Sequence, residues 1–285
     1  MKKQILITNI IKFTKNKAAL AGMVIILFIA FVAIFAPIIS GYDPLAMNEN
    51  ERLLAPSSAH LMGTDEFGRD IFSRIAYGAR TSFSIGIISI AIASVIGINI
   101  GLISGYFGSV IDSISMRLMD AIIAFPATLF AVVVIAIMGT GSFSAILAIS
   151  IVSIPAFARL TRANVLAERN KGYVDAEKAL GAGSWRIMYI EILPNILSTI
   201  FVQITVSIAS AILLESALSF LGLGTPPPSP SWGAMLSTGK DFLLYSPTYV
   251  IFPGLALTIL ITGLYLLGDG LRELLDPKKS KGGDT

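Results

Sequence analysis

The chain has 285 residues, of which 54% are hydrophobic and 14% charged, against roughly 25% charged in an ordinary soluble domain. With a mean hydropathy of +0.79, too few charges are left to coat water-exposed cores, so lipid is the expected solvent. The net charge of +3 does not point to nucleic acid, because five of the 21 Lys and Arg lie in the first 17 positions, ahead of a long apolar run. The absence of Cys and the single His60 exclude a disulfide framework, a thiolate nucleophile and the usual His- or Cys-rich metal site.

A bilayer-crossing helix needs about 20 predominantly apolar residues. The first charge-free run, Ala18 to Tyr42, follows Lys2, Lys3, Lys12, Lys15 and Lys17. It is longer than the roughly 7–15 apolar residues of a signal peptide and reads as a retained anchor. In the hydrophilic segment that follows, His60 reads as an exposed loop residue. Asp65, Arg69 and Asp70 stand next to Ile71, Phe72 and Ile75, a pattern that suits an amphipathic helix at the membrane surface. The second run, Thr81 to Ile111, carries Gly97, Gly101 and Gly105 at four-residue spacing, one face on which another helix can approach closely. Ala121 to Ala158 holds no charge, is too long for one helix and is interrupted by Gly139-Thr140-Gly141-Ser142, which predicts a helical hairpin. The run from Ile192 continues past Glu215 to Gly222 and ends before Thr225-Pro226-Pro227-Pro228-Ser229-Pro230, which cannot be helix interior. Trp232 lies just beyond and reads as an interface anchor; a sixth span covers Tyr249 to Leu267.

The expectation is therefore an all-α integral membrane protein with six transmembrane helices. With the N-terminus inside, sixteen Lys and Arg fall on the cytoplasmic side and five outside, so six spans and positive-inside agree, with both termini cytoplasmic. The chain divides into a basic tail with the first span (1–45), an extracytoplasmic segment (46–80), a membrane core (81–270) containing a cytoplasmic loop (159–191), and a C-terminal tail (271–285).

The loop is the most informative stretch. Val174 to Leu180 favours helix, Gly181-Ala182-Gly183 is a stop, and Ser184 is placed to cap a second short helix. Tyr173, Leu180 and Trp185 supply apolar contacts for a groove on a soluble partner. Glu215 is an ionisable group inside a span, which is costly and hence presumed functional. It suits either a translocation path or pairing with a neighbouring helix.

Asp175-Ala176-Glu177, Gly181 six positions after Asp175, and Ile192-Leu193-Pro194 resemble the coupling-loop signature of ATP-binding-cassette (ABC) importer membrane subunits, EAA, three residues, G, and a later I-x-L-P. The chain departs from it with Asp175 for Glu, Glu177 for Ala and Glu191 at the Ile position. Gly63-Thr64-Asp65-Glu66-Phe67-Gly68-Arg69-Asp70 with Gly78-Ala79-Arg80, Met116-Arg117 with Asp120, Phe125-Pro126, Leu218 to Gly224 and Ser231-Trp232-Gly233 look like the second membrane subunit of the dipeptide, oligopeptide and nickel permease group.

The resemblance implies an anchor helix plus a five-helix, MetI-like importer core that acts as a peptide permease. It implies as partners a second homologous permease, two ATP-binding subunits and an extracytoplasmic binding protein, with no nucleic acid. It also implies an ATPase-coupling role for Asp175, Ala176, Glu177, Lys178, Gly181, Leu193 and Pro194. Asp65, Arg69 and Asp70, on the side that a binding protein would approach, read as a structural salt-bridge cluster in preference to a docking site for it. ATP and Mg would belong to the partner subunits: the only Gly-Lys pair, Gly239-Lys240, precedes Asp241 and has Ala234 where a phosphate loop needs Gly. This chain is expected to hold no catalytic residue, cofactor or metal. The alternatives are a chelated-metal permease of the same group and, more distantly, a carrier driven by an ion gradient.

Overall fold

In a computed structural model, which describes residues 16–275, the regular structure is helical; the only β pairing among these residues is an isolated bridge between Thr64 and Asp70. The elements are α1 (Lys17–Ile34), α2 (Ala36–Ile39), α3 (Ile71–Phe107), α4 (Ser109–Ile123), α5 (Ala127–Met138), α6 (Ser142–Glu168), α7 (Gly172–Ala179), α8 (Ser184–Arg186), a π-helical turn (Ile187–Ile192), α9 (Leu193–Phe220), α10 (Trp232–Gly239) and α11 (Thr248–Leu275). Five helices are long and apolar enough to cross a bilayer, and the bent pair α4–α5 makes a sixth if counted as one span. The basic N-terminal tail up to Lys15 and the C-terminal tail from 276 lie outside the described residues.

Several boundaries differ from the sequence reading, each for a physical reason. Hydropathy reports where lipid begins, whereas a helix ends where its backbone is capped. The second span begins at Ile71 rather than Thr81, because the Asp70 carboxylate accepts from the Ser73 N–H (2.7 Å) and nothing interrupts the chain until Gly108, which has φ +68°. At 37 residues the helix is about 55 Å long and overhangs an apolar layer of about 30 Å. Ile71 and Ile75 are buried within it, so no separate interfacial helix exists here. The predicted hairpin has its turn at Gly139 to Gly141, but its first arm is bent by 91° between α4 and α5. Pro126 lacks an N–H and disfavours a helical conformation at Phe125, so the helix must break there.

Three side-chain clusters hold the bundle. One lies between α3, α5, α6 and α9, around Ile90, Ile149 and Phe157. A second joins α1, α3, α9, α10 and α11 around Ile71, Trp232 and Tyr249. A third, around Leu102, Val165, Val174 and Ile192, connects α3 and α6 to α7 and α9. The most extensive helix pair is α3 with α6, and the glycine series makes it. A Cβ on Gly97 would meet Phe157 Cβ at 2.6 Å, on Gly101 Thr161 Cβ at 2.5 Å, and on Gly105 Val165 Cβ at 2.9 Å. Arg162 then clamps α6 to α4 through Asp112 (2.6 Å), Arg159 reaches Asp120, and Arg169 donates to the Gly105 carbonyl (2.9 Å). Arg159 and Arg162 lie in the last turns of α6 and Arg169 is its C-cap, so the connection assigned to 159–191 is largely helix.

Replacing Gly101 by Val forces the two helices apart. The expected cost is about 1–3 kcal/mol of overpacking, read as a lower melting temperature in detergent; an unchanged melt would show that the seam can open without loss.

Candidate functional site

The coupling segment forms a compact bend at one end of the bundle. α7 ends in a Schellman motif: Ala182 N–H donates to Glu177 O and Gly181 N–H to Lys178 O, both at 3.0 Å. This places Gly181 at φ +83°, the left-handed conformation that glycine enters without steric cost. Gly183, rather than Ser184, is the N-cap of the next helix, and Ser184 is its first residue. Asp175 and Lys178 are exposed and pair with each other (3.3 Å); Glu177 faces Arg186 across the bend at 4.0 Å. Leu180 and Trp185 stand out in solvent, 82% and 64% exposed, with Trp185 stacked on Tyr189. Tyr173 instead is half-buried: its hydroxyl donates to Glu168 (2.9 Å) and accepts from Asn195. Burial, then the Glu168 carboxylate, push the Tyr173 phenol up, and the same carboxylate raises the Lys171 ammonium.

Val174 is fully buried against the cluster beneath and roots the bend. From Ser184 the chain stays helical to Phe220. Pro194 therefore does not start a new helix but sits inside a continuous run, and the wide turn Ile187–Ile192 just before it lets the chain pass a residue that cannot donate. Leu193 N–H closes that turn on Met188 O, five residues back.

Between α5, α6 and α9 lies a groove of about 530 Å³. Thr128, Ser153, Gln203, Ser207 and Ser210 give it polarity among Ala, Val and Leu, and no charged residue lines it. Gln203 Nε2 donates to Ser207 Oγ at 3.0 Å. Hydropathy alone did not reveal this surface, because serines and one glutamine inside an apolar helix leave its mean nearly unchanged.

Glu215 does not line the groove. It is fully buried off the groove-lining face of α9 and accepts from four serine hydroxyls: Ser219 (2.7 Å), Ser82 (3.2 Å), Ser216 and Ser231 (both 3.4 Å). The carboxyl thus ties α9 to α3 and to the start of α10, with no cationic side chain among its described partners.

The hydrophilic segment before α3 is also knitted together from within. Arg69 meets Asp65 (2.6 Å) and Glu66 (3.3 Å), and Arg74 meets Asp65 (3.3 Å). Asp65, Arg69 and Asp70 are all buried, so these side chains shape the segment and offer a partner no surface. Two readings are corrected here. His60 is buried, its Nδ1 2.9 Å from Asp70 Oδ1 and its ring against Tyr42. Trp232 is no headgroup anchor: it is 1% exposed, packs on Gly78 and donates to Ile75 O at 3.0 Å.

Five or six helices apolar enough to cross a bilayer, with an exposed bend at one end and a neutral groove between them, make the chain a multi-pass membrane protein. The model of the binding-protein-dependent transport system inner membrane component matches residues 97–281, and that of the N-terminal transmembrane domain of oligopeptide transport permease C matches residues 9–56. The chain belongs to the family of binding-protein-dependent inner membrane transport components. Its relatives include the dipeptide transport system permease protein of Alkalihalophilus pseudofirmus, 44% identical over 93% of this chain and 87% of that one. The di/tripeptide permease of Pseudomonas aeruginosa is 44% identical over 93% and 90%. The glutathione transport permease of Pectobacterium atrosepticum is 41% identical over 94% and 89%. Among solved structures, the methionine ABC transporter MetNI in its inward-facing form superimposes with a TM-score of 0.57 at 19% identity, over 71% of this chain and 96% of that one, a likeness of fold.

Glu215→Leu leaves four serine hydroxyls without their acceptor. The expected loss is about 1–3 kcal/mol, seen as lower melting temperature and yield with transport per folded molecule retained. Abolished transport at full yield would give Glu215 a role in the path.

Proposed function

We propose that this chain forms one half of the translocation path of an ATP-driven importer of short peptides. A second, homologous permease supplies the other half, two ATP-hydrolysing subunits dock on the bend around Gly181, and an extracytoplasmic binding protein delivers substrate on the side of residues 46–80. Under this reading both termini are cytoplasmic, and ATP with its Mg is held by the partner subunits. The observation that carries the reading is near-full-length similarity to peptide permeases in a chain with an exposed coupling bend and no phosphate loop.

Coupling requires contacts that differ between two states. The bend offers Asp175, Glu177 and Lys178 as polar contacts, Leu180 and Trp185 as apolar ones, and Ala176 and Gly181 for close approach. Leu193 and Pro194 then lead into α9. A push on the bend cannot be absorbed locally, because Val174 is packed below it and the helical run from Ser184 continues into the groove wall. Gln203, Ser207 and Ser210 move with that wall. Their neutral donors and acceptors suit peptide bonds whatever the side chains carried between them.

The test is a mild-detergent pull-down of the tagged chain from its native host. ATP-binding subunits and a second permease are expected to co-purify with the wild type. In the double variant Asp175→Lys, Glu177→Lys, membrane insertion should persist, while recovery of the ATPase and peptide-stimulated ATP hydrolysis fall several-fold. Unchanged recovery and hydrolysis would remove the bend as the lever. A chain that purifies alone and drives gradient-coupled uptake in liposomes would overturn the importer reading.

A further inference from the structure

On the side of the bundle opposite the coupling bend, an open groove of about 730 Å³ lies between the end of α2, the outer part of α3 and the proline-rich segment before α10. Asp43 and Arg80 are the only charged residues that line it, and Tyr42 and Tyr77 the only aromatic ones. The depth of the two charges follows from the sequence. Asp43 is the first charge beyond the charge-free run Ala18 to Tyr42, and Arg80 is the last before the charge-free run Thr81 to Ile111. Both therefore stand where hydrocarbon gives way to headgroups, the level that tyrosine rings also favour.

Neither charge is neutralised by another of the described residues. Among the described residues, the Arg80 guanidinium has only the face of Tyr77, 5.8 Å from its ring centroid. The Asp43 carboxylate accepts one backbone N–H, from Leu45 at 2.8 Å, and forms no ion pair with any described residue. Below the groove, Phe31, Ile34 and Ile38 follow one another at helical spacing and are 51%, 68% and 78% exposed, with Ile38 itself on the groove rim. That is an apolar track leading down from a pair of opposite charges.

We propose that this groove binds a zwitterionic phospholipid headgroup bearing a primary ammonium, that of phosphatidylethanolamine. Arg80 meets the phosphate, Asp43 the ammonium, and the acyl chains lie along Phe31, Ile34 and Ile38. Guanidinium and phosphate form strong charge-assisted hydrogen bonds. The carboxylate distinguishes an ammonium that donates N–H from a quaternary choline, which has none, and from a glycerol headgroup, which has no cation. The track of exposed apolar side chains favours a lipid over a transported peptide, which would have no use for it.

Native mass spectrometry of the full chain, purified in its complex in mild detergent and supplied with phosphatidylethanolamine, phosphatidylcholine or phosphatidylglycerol, tests this. Phosphatidylethanolamine should be retained at least fivefold better than the other two. Arg80→Ala and Asp43→Asn should each bring it down to the phosphatidylcholine level, while Arg80→Lys should restore part of the difference. Asn keeps the acceptor for Leu45, so the loop remains closed, and Ser229→Trp on the rim provides a second variant that fills the groove without touching either charge. Equal retention of the three lipids, or retention that ignores all these variants, overturns the proposal. Displacement of bound lipid by a zwitterionic dipeptide such as Ala-Ala overturns it as well and reassigns the groove to substrate.

Discussion

The structure depends on how closely α3 and α6 approach. In lipid, helices gain little by hiding apolar surface from one another, because the surroundings are equally apolar; association rests on packing and on polar ties. Gly97, Gly101 and Gly105 remove the side chains that would hold α3 away, and the backbone of α6 at Ile154, Ala158 and Arg162 fills the space. Once that pair is closed, Arg159, Arg162 and Arg169 at the end of α6 lie within reach of α4 and the end of α3. The positions of α5, α9 and the groove follow from this seam.

Polar groups then lock what packing brings together. Glu215 gathers hydroxyls from α3, α9 and the start of α10, so one carboxyl joins three elements at a depth where water is scarce. On the same side, the ion pairs of Asp65, Arg69 and Arg74 make a firm cap from a segment with almost no regular structure. A buried pair of this kind is weak evidence for net stability, but here it fixes where α3 begins and where the first span is tethered, through Ser73 to Ser40 and Arg74 to Pro44. On the other side of the bundle the bend is secured mainly by Val174 and the glycine cap, leaving most of its surface open.

Much of this was legible beforehand, for a reason specific to membranes. A span must be free of charge over some twenty residues, and that requirement survives in any sequence that crosses a bilayer. The glycine seam and the Gly181 stop were equally readable, since each rests on a local property of glycine. His60 and Trp232 were misread because their burial is set by partners that local composition does not announce: Asp70 for the one, the Ile75 carbonyl and the empty space at Gly78 for the other. The length of α3 was underestimated because hydropathy marks lipid depth, not where a capped helix stops. Glu215 was flagged correctly as unusual, but its four serine partners come from elements far apart in the chain, and its direction away from the groove depends on the rotation of α9 about its own axis.

That rotation matters in a further way. The bend and the groove wall belong to one uninterrupted helical run, in which the wide turn before Pro194 takes the place of a break. Each residue of an α-helix turns the chain by about 100°. Between Asn195 and Gln203, a substitution at an exposed position such as Phe201 alters one side chain, but inserting or deleting a single residue would swing the whole upper half of α9 away from its neighbours while the bend stayed fixed below. Gln203, Ser207 and Ser210 would leave the groove, and Glu215 would leave its serines. Away from the buried Ile196 and Ile200, the stretch is therefore constrained in length far more tightly than in composition, and variation at its exposed positions should accumulate as exchanges of one side chain for another rather than as gaps.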